Sequence, residues 1–84
     1  MSVHVSVRYF AGAAAAAGVT DERITLGGPS TVAGLRSELV SRRPALASVL
    51  AVATLLLDEA AVRDLSMSVP DGASVDVLPP FAGG

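Results

Sequence analysis

The sequence ends in six residues whose types suit chemistry at a terminal carboxylate, Pro79-Pro80-Phe81-Ala82-Gly83-Gly84. Consecutive prolines favour an extended backbone and lower the entropy lost when a partner orders the segment. Phe81 offers an apolar anchor, while Gly83 and Gly84 lack side chains and can pass through a narrow channel. Fully extended, the segment would reach roughly 20 Å. The pattern favours a tail that carries the Gly84 carboxylate into another protein's active site.

A terminal carboxylate is a poor electrophile until it is activated. Adenylation would convert the Gly84 carboxylate to an acyl-phosphate anhydride, which a sulfur nucleophile could attack. The competing interpretation is a frayed chain end, because terminal residues are often not fixed by the fold. The two glycines alone do not decide between these interpretations, but the complete proline-to-glycine ending favours carboxylate chemistry.

Other catalytic chemistries lack the residues they need. The absence of cysteine excludes disulfides, thiolate metal ligands and a cysteine nucleophile. His4 is the only histidine, so neither a metal site nor a serine–histidine–acid triad is expected. Gly27-Gly28-Pro29 has neither the spacing nor the lysine of a phosphate-binding loop. The sequence therefore predicts no catalytic residue of its own, no metal and no bound cofactor.

The composition bears on whether the chain binds nucleic acids or membranes. All six basic residues are arginines in a chain of net charge −2, and the sequence shows no basic face and few aromatic residues that could stack on bases. Nucleic-acid binding is therefore not expected. The longest apolar segment, 45–57, is shorter than the ~17 to 25 residues that cross a bilayer, and the N-terminus does not resemble a signal peptide. We expect a cytoplasmic protein without membrane association.

The elements that position the tail follow from periodicity. Val3, Val5, Val7 and Tyr9 alternate with polar residues and predict a half-buried strand. The alanine-rich segment 11–17 predicts a helix that stops at Gly18, and a second strand follows over 21–26. Ser30 or Thr31 can cap a longer helix, in which apolar residues recur at helical spacing until Pro44.

The second half is predicted to form strands. One more helical turn over 46–50 precedes a continuous apolar segment, 51–57, which we interpret as a buried strand. Segment 61–63 is a candidate edge strand, and Pro70-Asp71-Gly72 predicts a turn. A last strand contains Val75 and Val77 and ends at the prolines. The prediction is an α+β domain over 1–78, in which one main helix covers a small mixed sheet, with an extended tail over 79–84.

These motifs resemble the MoaD-type small subunit of molybdopterin synthase, within the ubiquitin-like sulfur-carrier family of MoaD and ThiS. The resemblance spans essentially the whole chain. Its weaker parts are Val7-Arg8-Tyr9-Phe10-Ala11 and Thr31-Val32-Ala33-Gly34-Leu35. Its strong part is a strand leading into Pro79-Pro80 and the terminal Gly83-Gly84.

The resemblance implies a β-grasp fold with adjacent, parallel first and last strands, and it implies a mechanism. An adenylyltransferase resembling ubiquitin-activating enzymes would use ATP to adenylate Gly84, and a sulfurtransferase would supply the sulfur of a C-terminal thiocarboxylate. The charged tail would enter the large subunit of molybdopterin synthase and give sulfur to cyclic pyranopterin monophosphate. The large subunit would supply the acid–base groups, and the family expectation is a heterotetramer.

The resemblance also implies residue roles. Gly84 carries the sulfur, Gly83 permits threading, and the residues expected to line the partner's channel are Pro79, Pro80, Phe81 and Ala82. Phe10 and Leu78 are expected to form an exposed apolar interface patch, although both could instead belong to the core. The chain departs from the family in Leu57-Asp58-Glu59-Ala60, where an Asn-Gly-type turn is common, so the hairpin geometry there stays open.

Three alternatives remain at this point. The chain could be a carrier for cysteine, thiamine or tRNA thiolation, although the proline pair argues against the thiamine carrier. It could be a ubiquitin-like modifier, and because the chain has no lysine, any isopeptide bond would need a lysine on a partner. It could also be a β-grasp interaction module with an inert tail. An enzyme with its own active site has the least support.

Overall fold

Residues 2–80 are described by the computed structural model, and they form five strands and three helices. The strands and helices, in chain order, are β1 (Ser2–Tyr9), α1 (Gly12–Ala17), β2 (Asp21–Gly27), α2 (Val32–Arg42), α3 (Leu46–Leu50), β3 (Thr54–Leu57), β4 (Ala60–Ala61) and β5 (Ala73–Leu78). Among these residues no helix has the length and apolar character needed to cross a bilayer.

The strands form one mixed sheet in the order β2-β1-β5-β3-β4. The first and last strands, β1 and β5, are parallel, and Val7 lies opposite Val75. The other pairings, β1 with β2 and β5 with β3, are antiparallel, as is the short pairing of β3 with β4. The predicted α+β class and the adjacent, parallel first and last strands are confirmed.

One face of this sheet packs against the helices and forms the core. Along β1, the apolar side chains at alternate positions are buried and the polar ones are exposed, which confirms the predicted period of two. From α2, the core receives Val32, Leu35 and Leu39, which recur at helical spacing. Within residues 2–80 no helix covers the opposite face, where the polar side chains of β1 are exposed.

The helix boundaries follow from local chemistry. Thr31 caps α2, because its Oγ1 accepts a hydrogen bond from the Gly34 N–H at 3.2 Å. Gly18 ends α1 in the left-handed region with φ of 80°, a conformation that glycine adopts without strain. The predicted last helical turn over 46–50 is present as α3.

Two strands differ from prediction in extent. The apolar segment 51–57 forms a strand only over Thr54–Leu57, because the turn after α3 occupies Ala51 and Val52. There the backbone N–H groups bond back to α3, and the Val52 side chain is 61% exposed. The predicted edge strand 61–63 is instead β4 at Ala60–Ala61, since the two-residue turn from β3 brings the chain back sooner.

A polar cluster ties the sheet to the helices. The Glu22 carboxylate on β2 accepts a hydrogen bond from the Tyr9 hydroxyl at 2.5 Å and from Arg43 Nε at 2.9 Å. Arg43 Nη2 donates to the other carboxylate oxygen at 3.0 Å, and Nη1 donates to the Ala17 carbonyl. This cluster joins β1, β2 and the ends of α1 and α2. The hydrogen bond from Arg43 lowers the pKa of Glu22, while burial raises the pKa of Tyr9.

Candidate functional site: the open sheet face and the start of the tail

The sheet face that carries no helix, called here the open face, is formed by alternate residues of the three central strands. Its members on β1, β5 and β3 and directly after β1 are Ser6, Arg8, Phe10, Ser74, Asp76, Leu78, Thr54 and Leu56. Because β5 lies in the middle of the sheet and ends at Leu78, the chain leaves this face at the point where the predicted tail begins.

Phe10 and Leu78 lie side by side at this end of the open face. The Phe10 N–H donates to the Val77 carbonyl at 3.2 Å, so that Phe10 continues the pairing of β1 with β5 as the neighbour of Leu78. Phe10 is 37% exposed, and Leu78 is half-buried, as is Leu56 on the adjoining β3. We call these three residues the apolar patch. Neither Phe10 nor Leu78 belongs to the buried core cluster.

The first two tail residues differ in their surroundings. The side chain of Pro79 is buried in the chain itself, whereas Pro80 is exposed. Free tail surface therefore begins at Pro80 in the isolated chain, and the contact of Pro79 with a partner's channel stays a prediction. The other predicted tail residues, Phe81, Ala82, Gly83 and Gly84, lie outside the described residues.

An ion pair lies beside the apolar patch. Arg8 on β1 is opposite Asp76 on β5, and its Nε and Nη2 donate to the two carboxylate oxygens at 2.7 and 3.0 Å. The Asp76 side chain is 11% exposed and that of Arg8 is 54% exposed. The guanidinium carbon lies 5.9 Å from the centre of the Phe10 ring, within reach of a cation–π interaction. Hydrogen bonding to Asp76 raises the pKa of Arg8, which stays charged.

The hairpin turn between β3 and β4 borders the same face. Asp58 and Glu59 have φ angles of 48° and 72°, so two non-glycine residues adopt the left-handed conformation of a two-residue hairpin turn. Asp58 is fixed to β5, because its N–H donates to the Ser74 carbonyl at 2.8 Å and its Oδ1 accepts from the Ser74 N–H at 2.9 Å. The hairpin geometry that the sequence left open is thus formed without an Asn-Gly pair.

A polar cleft lies on the open face. A cleft of about 380 Å³ beside Arg8 is lined by Ser6, Ser74, Asp58 and Glu59. Across residues 2–80, histidine and carboxylate side chains do not gather into a group that could hold a metal ion. His4 lies on the polar side of β1, and its Nδ1 is 3.0 Å from Oδ1 of Asp71. Asp71 is remote from His4 in the sequence but lies next to it in the turn before β5.

Sequence reasoning missed Arg8, Asp76 and Leu56 as parts of this face. Arg8 and Asp76 each occupy an ordinary polar position of an alternating strand, and nothing local marks either one. The signal that could have found them is the expected parallel pairing of the first and last strands, which places residue 8 opposite residue 76. Leu56 lies in a continuous apolar segment, where the residue types do not distinguish positions that face the core from positions on the open face.

Comparison with known proteins shows a family match over nearly the whole chain. The model of the ThiS family matches residues 7–84. The molybdopterin synthase sulfur carrier subunit of Chlamydomonas reinhardtii is 30% identical over 83 residues, which cover 98% of this chain and 100% of that protein.

Solved structures agree in fold. A putative molybdopterin converting factor subunit 1 from Pyrococcus furiosus is 28% identical with a TM-score of 0.86, covering 94% of this chain and 99% of that one. The small archaeal modifier protein 1 of Haloferax volcanii is 26% identical with a TM-score of 0.83, at coverages of 94% and 99%. A complex of subunits 1 and 2 of molybdopterin-converting factor from Helicobacter pylori contains a chain that is 23% identical with a TM-score of 0.73, at coverages of 98% and 100%.

The family match and the 30% identical relative agree with the resemblance stated from the tail motif. The parallel pairing of the first strand with the last strand agrees with it as well. The chain therefore belongs to the ThiS family, as a β-grasp protein of the MoaD-type sulfur carriers.

Proposed function

We propose that this chain is the sulfur-donating small subunit of a molybdopterin synthase, and that it acts through the Gly84 carboxylate. The observation that carries the proposal is the exposure of Pro80 at the end of the described residues. Pro80 is exposed two residues after β5, which ends at Leu78 in the apolar patch. A partner that covers this patch is therefore placed to receive the residues that follow. The likeness to the sulfur carrier subunit from Chlamydomonas reinhardtii supports the same function.

The proposed chemistry takes place in two steps. The Gly84 carboxylate attacks the α-phosphate of ATP on an activating enzyme, which releases pyrophosphate and leaves an acyl-adenylate. Sulfide sulfur supplied through a sulfurtransferase then attacks the acyl carbon and displaces AMP, leaving a thiocarboxylate. The carrier itself needs no bound cofactor, because ATP is consumed on the activating enzyme. Gly83, without a side chain, lets the terminal group enter each partner's active site.

The partner that takes the sulfur is proposed to be the large subunit of molybdopterin synthase. It would dock on the open face, where Phe10 is an exposed aromatic anchor of the kind that dominates protein interfaces. The tail from Pro80 onward would then enter its active site, where cyclic pyranopterin monophosphate accepts the sulfur. Catalytic acid–base groups would come from the large subunit, in a cytoplasmic assembly that the family would form as a heterotetramer.

Intact-mass measurement tests the loading step. The chain is incubated with an activating adenylyltransferase, ATP and a sulfurtransferase with its sulfur donor, beside a matched chain that lacks Gly84. We expect a mass gain equal to one oxygen replaced by sulfur, located at Gly84 by fragmentation and missing from the shortened chain. No gain, with an enzyme set that loads an established carrier in parallel, would contradict the proposal.

A second measurement tests the acceptor. Thiocarboxylated chain is mixed with the large subunit and cyclic pyranopterin monophosphate, and dithiolene formation is followed together with return of the carrier to its original mass. Phe10→Ala should weaken docking of the large subunit without preventing folding, because Phe10 lies outside the core cluster. Sulfur loading without transfer to this acceptor would point to a carrier for another pathway, such as cysteine, thiamine or tRNA thiolation.

A protein modifier is the second candidate, and the likeness to small archaeal modifier protein 1 favours it. The same activated Gly84 would then form an isopeptide bond to a lysine of another protein, since this chain contains no lysine. Mass spectrometry of proteins that retain the Gly83-Gly84 remnant on lysine would show such conjugates. A plain interaction module would instead keep its function when Gly83 and Gly84 are deleted.

A further inference from the structure

The Arg8–Asp76 pair uses only one edge of the Arg8 guanidinium. Arginine carries five N–H groups in a planar fork, and the bonds to Asp76 involve Nε and Nη2. The Nη1 atom makes no hydrogen bond within residues 2–80, and the Arg8 side chain is 54% exposed. The outer edge of the guanidinium therefore faces solvent while the inner edge is fixed by a carboxylate that is 11% exposed.

Docking on the open face must also cover Arg8. The guanidinium carbon is 5.9 Å from the centre of the Phe10 ring, so a surface that encloses Phe10 removes water from the outer edge of Arg8. A buried N–H group without an acceptor is costly, and more so on a charged side chain. A partner that offers an acceptor oxygen at this point binds well, and one that offers an apolar surface is rejected.

The charges around Arg8 decide which acceptor fits. Asp76 on β5 already balances the charge of Arg8, and the hairpin turn places Asp58 and Glu59 along the same cleft. Ser6 and Ser74 complete the lining and carry no charge. A further carboxylate from the partner would add negative charge to a surface that already has an excess of it. An uncharged oxygen satisfies the N–H groups without that repulsion.

We propose that Arg8 is a specificity-determining residue of the open face, and that the docked large subunit places an uncharged acceptor oxygen, from a main-chain carbonyl or a side-chain amide, against its outer N–H groups. This inference rests on the proposed function, because the large subunit is the occupant it assumes. Asp76 is the positioning residue that fixes the inner edge of the guanidinium near Phe10, and it does not itself meet the partner.

Isothermal titration of the purified chain against the large subunit tests this contact. The informative variant is Arg8→Leu/Asp76→Leu, because it removes the pair without leaving Asp76 buried and unpaired. We expect about tenfold weaker binding, since the partner's oxygen loses its donor. The matched control is Arg42→Leu/Glu38→Leu, which removes an exposed ion pair of α2 on the helical side and should bind as the unchanged chain does.

Repeating the titration at two salt concentrations identifies the acceptor. With an uncharged oxygen, the unchanged chain and the Arg8→Leu/Asp76→Leu variant should show the same salt dependence. Arg8→Lys serves as a second variant that keeps the charge opposite Asp76 but lacks the planar fork, and it should bind severalfold more weakly.

The outcomes separate the two proposals. Equal binding by the unchanged chain, Arg8→Leu/Asp76→Leu and Arg8→Lys would overturn the role of Arg8 and leave the proposed function standing. A salt dependence that is steep in the unchanged chain and lost in the double variant would indicate a partner carboxylate and overturn the uncharged acceptor. Absence of binding by the unchanged chain would contradict the proposed function, and this inference with it.

Discussion

Glu59 adopts a backbone conformation that its side chain disfavours. Its φ of 72° lies in the left-handed region, where a residue with a Cβ atom loses roughly 1 to 2 kcal/mol. Glycine has no such penalty but loses more entropy on folding. We therefore predict that Glu59→Gly raises the free energy of unfolding by about 0.5 to 1 kcal/mol. Urea unfolding followed by circular dichroism measures the change.

The control for this prediction is Glu59→Ala, which removes the same charge but keeps a Cβ atom at positive φ. It should leave the strain in place and give less stabilisation than Glu59→Gly. If alanine stabilises the chain as much as glycine does, the gain comes from removing negative charge near Asp58, and the argument from backbone strain is wrong.

Glu22 makes the free energy of unfolding depend on pH. Its pKa in the folded chain is lowered below its ordinary value, chiefly by the hydrogen bonds from Arg43. A lowered folded pKa contributes stability above the unfolded pKa, and this contribution is lost as pH falls through the folded value. We predict that unfolding free energy declines below about pH 5. In Glu22→Gln this decline should be smaller.

The comparison at neutral pH completes this prediction. Glu22→Gln should be less stable there by about 2 kcal/mol, because a largely buried, charge-assisted network loses its carboxylate. Glu38→Gln is the matched control, since Glu38 belongs to an exposed ion pair on α2 and should change little. Urea unfolding at pH 7 and at lower pH measures both variants, and equal behaviour of the two would refute the role given to Glu22.

At the scale of elements, the start of α2 depends on one side chain. The Thr31 Oγ1 accepts from the Gly34 N–H, which satisfies a backbone donor that has no partner within the helix. We predict that Thr31→Ala lowers the free energy of unfolding by about 1 kcal/mol, whereas Thr31→Ser keeps the oxygen and most of the stability. Thermal unfolding of both variants distinguishes them, and an equal loss in both would assign the effect to the Thr31 methyl group.

The elements with strong periodicity could be predicted from the sequence. β1 alternates with period two, and α2 has a capping residue, apolar residues at helical spacing and Pro44 beyond its end. These local signals agree with the packing that the structure shows. The long apolar segment 51–57 carried no period, so the sequence could not show that its first residues form a turn.

Contacts between residues that are far apart in the sequence could not be predicted from local sequence patterns. The Arg8–Asp76 pair joins residues 68 positions apart, and only the register of β1 with β5 brings them together. The Glu22–Arg43 pair likewise joins residues 21 positions apart, one on β2 and one at the end of α2. The tail motif itself was evident because it lies in consecutive residues. The charged part of the candidate site therefore came from the fold, whereas the role of the tail stays a prediction from the sequence.

At the scale of the whole molecule, the parallel pairing of β1 with β5 connects the fold to the proposed function. It places the end of the last strand in the middle of the sheet, next to Phe10 and between β1 and β3. A tail that leaves from an edge strand would lie away from the open face. Here β5 ends beside the apolar patch, so in the proposed function docking and delivery of the tail would involve the same end of the molecule.

The boundary between the fold and the tail gives the last prediction. The sequence favours a domain over 1–78, but Pro79 is buried while Pro80 is exposed. A chain that ends at Leu78 should therefore be less stable than one that ends at Pro80, by about 1 kcal/mol for the apolar surface of Pro79 that is lost. Both chains lack residues 81–84, so urea unfolding compares Pro79 and Pro80 alone. A third chain that ends at Pro79 should match the chain that ends at Pro80. If all three unfold alike, Pro79 adds nothing to the fold and belongs to the tail, as the sequence predicts.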